Sequence, residues 1–315
     1  MRLRFYDRLL RMIRLCSLMV SVGLAVSAQA QLFQISKEDL LAITKEWKGE
    51  RFDDGRPKVP EALLDEMHGL TVEEIWGVLP RGARPDQPSY ANQYVDGWEI
   101  LHPGKKIVGR AVTAQFMPLR ADLNELVISR LKSRGVQSAA HQWVIDQLQP
   151  GDVFVADLFG KKAGGTVVGD NLATAVYSAT RLGKNGGLVV DGGIRDLQGI
   201  AEIDMSLYYR HAHPSAIAGV TLTGYNIPVR IGEATVVPGD VVFGDREGIY
   251  FVPPQFVKPI LERAVETHIH DEWTKDKFLK GRYKSSELYP RPRDPALQRE
   301  YEEYKKKRLG ERKPQ

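Results

Sequence analysis

Residues 189–196, Val189-Val190-Asp191-Gly192-Gly193-Ile194-Arg195-Asp196, join an apolar run to two glycines and a guanidinium-carboxylate pair. A buried strand ending at Asp191 would leave the glycines to turn the backbone tightly and make room for a ligand. Arg195 and Asp196 would then stand at the next helix start, beside a strand's carboxyl end, where ligands collect in open α/β sheets. Arginine supplies a planar fork suited to a carboxylate or an enolate oxygen. Aspartate supplies the hard oxygen that Mg²⁺ or Mn²⁺ prefers. The plainer alternative is an aspartate stabilising a helix N-terminus next to a surface arginine.

A second segment, Gly169-Asp170-Asn171-Leu172-Ala173, reads as a glycine turn entering a helix. Its first amides, around Asn171, Leu172 and Ala173, are expected to be free and aligned with the helix dipole, a site for a small carboxylate. Here the alternative is an Asp170 cap with no ligand.

The elements that must position these residues follow from pattern. Residues 107–117 and 153–157 read as strands, 121–134 as a helix closed by Gly135, 171–182 as a helix and 187–191 as another apolar strand. A helix beginning near Arg195, a strand at 207–211 and several short strands between 220 and 252 complete an α/β core with parallel elements. Before it lies a helical lead-in: Ser36 caps one segment, Pro60 opens a second, and Thr71 with Glu74 has capping-box spacing. A loop over 81–94 delivers the chain to the core. A long helix over 254–280 and a Pro-rich, charged tail follow it. The expected division is 1–30 signal, 31–103 lead-in and loop, 104–280 catalytic domain and 281–315 tail.

Four blocks in order, Pro150-Gly151-Asp152-Val153, Gly169-Asp170-Asn171-Leu172-Ala173-Thr174, Val190-Asp191-Gly192-Gly193-Ile194-Arg195-Asp196 and Pro238-Gly239-Asp240-Val241-Val242-Phe243-Gly244-Asp245, resemble the RraA-like family. That family includes the 4-hydroxy-4-methyl-2-oxoglutarate/4-carboxy-4-hydroxy-2-oxoadipate aldolases, class II pyruvate aldolases. The resemblance, over roughly 104–280, implies a swivelling β/β/α domain assembled as a homotrimer or dimer of trimers, with sites between subunits. It implies that Asp196 holds a divalent metal, Mg²⁺ or Mn²⁺, and that Arg195 contacts the pyruvyl oxygen of a 2-oxo acid. Leu172, with the backbone of Gly169, Asn171 and Ala173, would grip the substrate carboxylate, and Asp170 would bind a water in the metal's outer shell. An acidic residue from the neighbouring subunit's C-terminal helix is also implied, and Glu272 matches it best. The implied reaction is retro-aldol cleavage of a 4-hydroxy-2-oxo acid, or decarboxylation of oxaloacetate, to give pyruvate. Other uses of such a chain are a metal-dependent lyase or hydratase acting on a sugar acid, and a non-catalytic RraA-type regulator of an RNA-processing enzyme.

No lysine Schiff base is required by this chemistry, so Lys161, Lys162 and Lys184 read as solvated loop charges. Residues 160–165 lack the Gly-Lys-Ser/Thr ending of a phosphate loop. His211 and His213 share a strand face without a third ligand nearby, and His268 and His270 are spaced two apart on a helix, off a common face. Residues 181–187 are a few positions longer than the family's usual link, and are expected to bulge without moving either block.

Five arginines among the first 14 residues precede an apolar run over 15–26 and then Ala28-Gln29-Ala30, the order of a secretory signal cleaved after Ala30. Twelve apolar residues are too few for a membrane span, which needs about 20. Export to the periplasm or medium is therefore expected, with no stable membrane insertion. Cleavage removes five arginines and one aspartate, so 44 basic and 40 acidic residues become 39 of each. A neutral mature chain offers no global field for nucleic acid, and the Lys305-Lys306-Lys307-Arg308 run reads as a solvated face. The one cysteine, Cys16, goes with the signal, so neither disulfides nor thiol catalysis are expected.

Overall fold

The computed structural model describes residues 34–311 apart from 83, 85 and 282. The signal and its cleavage point lie outside the described residues. Among those described, no helix is long and apolar enough to cross a membrane.

Local chemistry starts the lead-in helices. The Ser36 hydroxyl accepts from the Asp39 amide at the head of α1 (Lys37–Ile43), and Pro60 precedes α2 (Glu61–Met67). Thr71 and Glu74 form the full capping box on α3 (Val72–Trp76). The chain then adds two short strands, β1 (Tyr94–Val95) and β2 (Glu99–Ile100), which close opposite edges of the main sheet.

The sheet is built on four parallel strands: β3 (Ile107–Pro118), β4 (Asp152–Thr166), β5 (Gly187–Ile194) and β6 (Leu207–Ala212). Between them run α4 (Ala121–Ser133), α5 (Ala140–Ile145), α6 (Asp170–Thr180) and α7 (Leu197–Ala201). Strands β7 (Val220–Tyr225) and β10 (Val241–Gly244) pair with successive halves of β3, and β11 (Ile249–Val252) joins β10 to β1. Strands β8 (Val229–Ile231) and β9 (Ala234–Val236) form a separate hairpin.

Side-chain alternation divides the core between the faces of this sheet. Phe154, Ala156, Leu188 and Val190 face α5, α6 and α7, where Val144, Ala173, Val176 and Ile200 are buried against them. Val153, Val155 and Val189 point the other way, onto Val229, Ile231 and Val236 of the hairpin. A third cluster seats Leu64, Met67, Val72 and Ile75 of the lead-in on Phe243 and Tyr250 and on Val257 and Ile260 of α8 (Val257–Lys280). The lead-in thus shares a core with the strands that follow it. Its tether is a buried ion pair, Arg56 Nη1 to Asp152 Oδ1 at 3.0 Å.

Two expectations need correction here. Lys161 and Lys162 are not on a loop: β4 runs on to Thr166, and Lys161 pairs with Gly192 across register shifts. The extra residues at 181–187 do not bulge freely either. Leu182 and Asn185 bridge in a tight turn, and buried Asn185 donates to Asp65 Oδ1 at 2.9 Å and meets His68 Nε2 at 3.0 Å, both on the lead-in. Replacing Asn185 by alanine would leave the half-buried Asp65 and His68 without this partner, and should lower stability by about 1 kcal/mol. A urea unfolding curve checks this; an unshifted midpoint would show that the pin carries no stability.

After α8 come α9 (Ser285–Leu288) and α10 (Pro295–Glu311), the charged tail. It lies along α8 through Lys305 to Glu266 at 3.1 Å and Arg308 to Glu272 at 2.9 Å. Part of the basic run is therefore paired within the chain rather than solvated.

Candidate functional site

Parallel order brings the two chemical segments together. β4 ends at Thr166, two buried valines follow, and Gly169 is the N-cap of α6. β5 ends at Ile194, and the Arg195 amide donates to the Val168 carbonyl at 3.3 Å, fixing one segment against the other. Asp196 sits in the left-handed region, φ 58° and ψ 40°, as the N-cap of α7. Aspartate tolerates that conformation better than most residues, and such strain gathers at functional sites.

The contact is close. A Cβ built on Gly169 would lie 2.3 Å from Asp196 Oδ2 and 2.8 Å from Arg195 Nε, so glycine is what lets both side chains lie against the head of α6. Asp170 packs in the same way on α7, its Oδ2 standing 3.1 Å from the Cβ position of Gly199. Arg195 Nε holds Asp196 Oδ2 at 3.2 Å, and both side chains remain about a third to a half exposed, at 35% and 45%.

The amide row is shorter than expected. α6 starts at Asp170, one residue earlier than the pattern suggested, so Ala173 is the fourth helical residue and donates to the Gly169 carbonyl at 2.9 Å. The Asn171 amide is taken by its neighbour's Asp170 Oδ1 at 2.7 Å. Of the three amides expected to be free, only that of Leu172 lacks an acceptor among the described residues. The edge expected to take an anion is therefore a narrow one, with Arg195 Nε close by at the Cβ position of Gly169.

Glu272 is not part of this cluster within the chain. It lies on α8, where Arg308 and Tyr304 of the tail helix engage it; the Tyr304 hydroxyl and then Arg308 hold its carboxyl below the ordinary range. To reach a neighbouring subunit's site it would have to exchange those partners. Among the described residues, no three His, Cys, Asp or Glu side chains gather as a ready-made metal cage.

One group was missed from the sequence. His141 stands on α5, a helix of six residues that carries little periodicity to detect. Burial, and then the charge of Arg195, lower its pKa, which keeps a neutral imidazole within the electrostatic reach of the guanidinium.

Fold and cradle together define a mixed α/β domain with a guanidinium, two carboxylates and a helix N-terminus meeting at the carboxyl ends of parallel strands. The chain belongs to the RraA-like family: the Aldolase/RraA model matches residues 87–251. Among its relatives is the Halalkalibacterium halodurans protein named "Putative 4-hydroxy-4-methyl-2-oxoglutarate aldolase", 27% identical over 164 residues, which are 51% of this chain and 75% of that one. An Ectopseudomonas mendocina protein of the same name is 34% identical over 83 residues, 26% of this chain and about half (51%) of its own length. The crystal structure of Streptomyces coelicolor RraAS2, described as an unusual member of the RNase ES inhibitor RraA protein family, aligns with a TM-score of 0.57. That alignment covers 70% of this chain and all (100%) of the other at 24% identity, a likeness of fold.

Proposed function

We propose that the chain is a divalent-metal-dependent lyase that cleaves a 4-hydroxy-2-oxo acid, or decarboxylates oxaloacetate, to give pyruvate. The observation that carries this reading is the convergence of Arg195 and Asp196 on Gly169 at the head of α6. The names of the matched relatives favour the same chemistry. Export and assembly as a trimer or dimer of trimers belong to the same proposal.

The donor set fits Mg²⁺ or Mn²⁺. Such ions are commonly held by one or two carboxylates, with water and substrate oxygens completing the shell, so a three-carboxylate cage is not needed. Asp196 would hold the ion and Asp170 a water beside it, with Glu272 of a neighbouring subunit as a further candidate. When bound, the ion would supply Lewis acidity toward the keto oxygen of the substrate.

The chain's own groups would do the rest. The Leu172 amide and the dipole of α6 bind the substrate carboxylate. Arg195 places positive charge where the keto oxygen gains negative charge as the C3–C4 bond breaks. A water oriented by Asp170 takes the proton of the 4-hydroxyl, C4 leaves as a carbonyl, and C3 is protonated to complete pyruvate.

The test is pyruvate release by the full chain from a panel of 4-hydroxy-2-oxo acids and oxaloacetate, after chelation and after metal is restored. Release only with Mg²⁺ or Mn²⁺ is expected; release that survives chelation would remove the reading. Gly169→Ala is a sharper probe, because its extended backbone accepts alanine while the new methyl displaces Asp196 and Arg195. Misplacement by about 1 Å should lower activity on the order of 10²-fold with the fold intact. Full activity in that variant would mean that the close approach serves packing alone.

A further inference from the structure

Away from the Arg195 site, a cavity of about 510 Å³ opens between the loop over 89–93, the β8–β9 hairpin and the end of α1. It shares no residue with the proposed catalytic cluster. Its volume lies within the range of small-molecule sites.

Asp240 lines it, in a setting that differs from that of its counterpart Asp152. Pro150-Gly151-Asp152 and Pro238-Gly239-Asp240 make the same turn. In each, the aspartate's Oδ2 accepts from the amide three residues back, Gln149 at 2.9 Å and Val237 at 2.8 Å. In each, its own amide donates to that residue's carbonyl at 3.0 Å. The second oxygens differ. Asp152 Oδ1 receives the Arg56 guanidinium at 3.0 Å, whereas Asp240 Oδ1 has no partner among the described residues. Asp240 is nevertheless only 3% exposed.

The surroundings favour positive charge. None of the described lining residues is a lysine, arginine or histidine. Glu233 stands exposed at the rim, and Gln93 turns its amide nitrogen onto the carbonyls of Thr235 and Phe251, which leaves its oxygen as an acceptor. The Tyr90 ring forms part of the wall, packed edge-on to Phe256. The guanidinium of Arg51 is occupied by the hydroxyl and carbonyl of Thr44 and by the Gly55 carbonyl. With no cation to offset it, burial pushes the Asp240 carboxyl up to about 7.

We propose that this cavity binds a small molecule ending in a guanidinium group, which pairs with Asp240 Oδ1 as Arg56 pairs with Asp152. Glu233 steers the cation at the mouth, the Gln93 oxygen takes a second N–H, and the Tyr90 ring accommodates an alkyl stem or the guanidinium plane.

Calorimetric titration of the full chain with agmatine, with a neutral alkylurea of similar length as control, tests this. One agmatine per chain is expected, with at least tenfold weaker binding of the alkylurea. Asp240→Asn keeps an oxygen for the Val237 amide but presents no charge, and should weaken agmatine at least tenfold with the urea midpoint retained. Should that variant fold poorly, Glu233→Gln at the exposed rim serves instead, and a loss of affinity of a few fold is expected. Carbon NMR of Asp240 in the unaltered protein should show agmatine driving its carboxyl toward the ionised form. No binding, equal binding of the alkylurea, or an unmoved Asp240 signal would overturn the proposal. So would sedimentation showing that agmatine dissociates an oligomer, because the occupant would then be an arginine of a second copy.

Discussion

Replacing Arg195 by alanine is expected to lower kcat for pyruvate release by about 10²–10³-fold, the usual cost of removing a donor to a developing oxyanion. The geometry supports a loss in kcat more than in KM. The Arg195 amide is fixed by the Val168 carbonyl and its Nε by Asp196 Oδ2, so the backbone and one nitrogen of the guanidinium are anchored. A donor held in this way needs little reorganisation when charge appears on the keto oxygen. Arg195→Lys should recover only part of the loss, since a point charge on a flexible stem replaces a planar fork. Steady-state kinetics on the three proteins would check this. An alanine variant that raised KM alone would place Arg195 in uniform substrate binding.

The second large effect concerns stability. Arg56→Ala should destabilise the protein by about 3–5 kcal/mol, the cost of leaving a buried charge without its partner. The side chains of Arg56 and Asp152 are 1% and 0% exposed, and Asp54 flanks the same guanidinium at 2.7 Å. Burial pushes the Asp152 carboxyl up, and without Arg56 only the Gln149 amide and then the Arg110 charge would remain to oppose that rise. A carboxyl whose folded pKa stands above its unfolded value favours folding at low pH and loses that contribution as pH rises through the folded pKa. The variant's deficit should therefore shrink on acidification and widen toward neutral pH. Urea midpoints across that range would measure it, and a deficit independent of pH would mean that lost packing against Phe52 dominates.

What could be read from the sequence was largely what local chemistry decides. The apolar run before Asp191 and the caps at Ser36 and Thr71 each act within a few residues, and the structure forms them, although Gly192 and Gly193 continue β5 to Ile194 instead of turning the backbone. The proximity of Arg195 and Asp196 to the Gly169 segment was legible only through block order and the logic of parallel strands. The extension of β4 was not, because Gly160 and Gly164, at φ 70° and 74°, make residues 160–165 resemble a loop while the pairing partner, β5, supplies the strand. Arg56 and Asp152 lie 96 residues apart, and no spacing rule links them. The amide row was miscounted through a helix start displaced by one residue, and at a helix head one residue decides which N–H groups remain unpaired.

In the proposed reaction Asp196, set against the head of α6, would hold the divalent ion. Mn²⁺ titration followed by electron paramagnetic resonance measures this without reference to turnover. Asp196→Asn is the informative variant, since asparagine also tolerates the left-handed backbone found there. One tightly bound Mn²⁺ per chain is expected in the unaltered protein and none in the variant; equal binding by both, or no binding by either, would rule out Asp196 as the metal ligand.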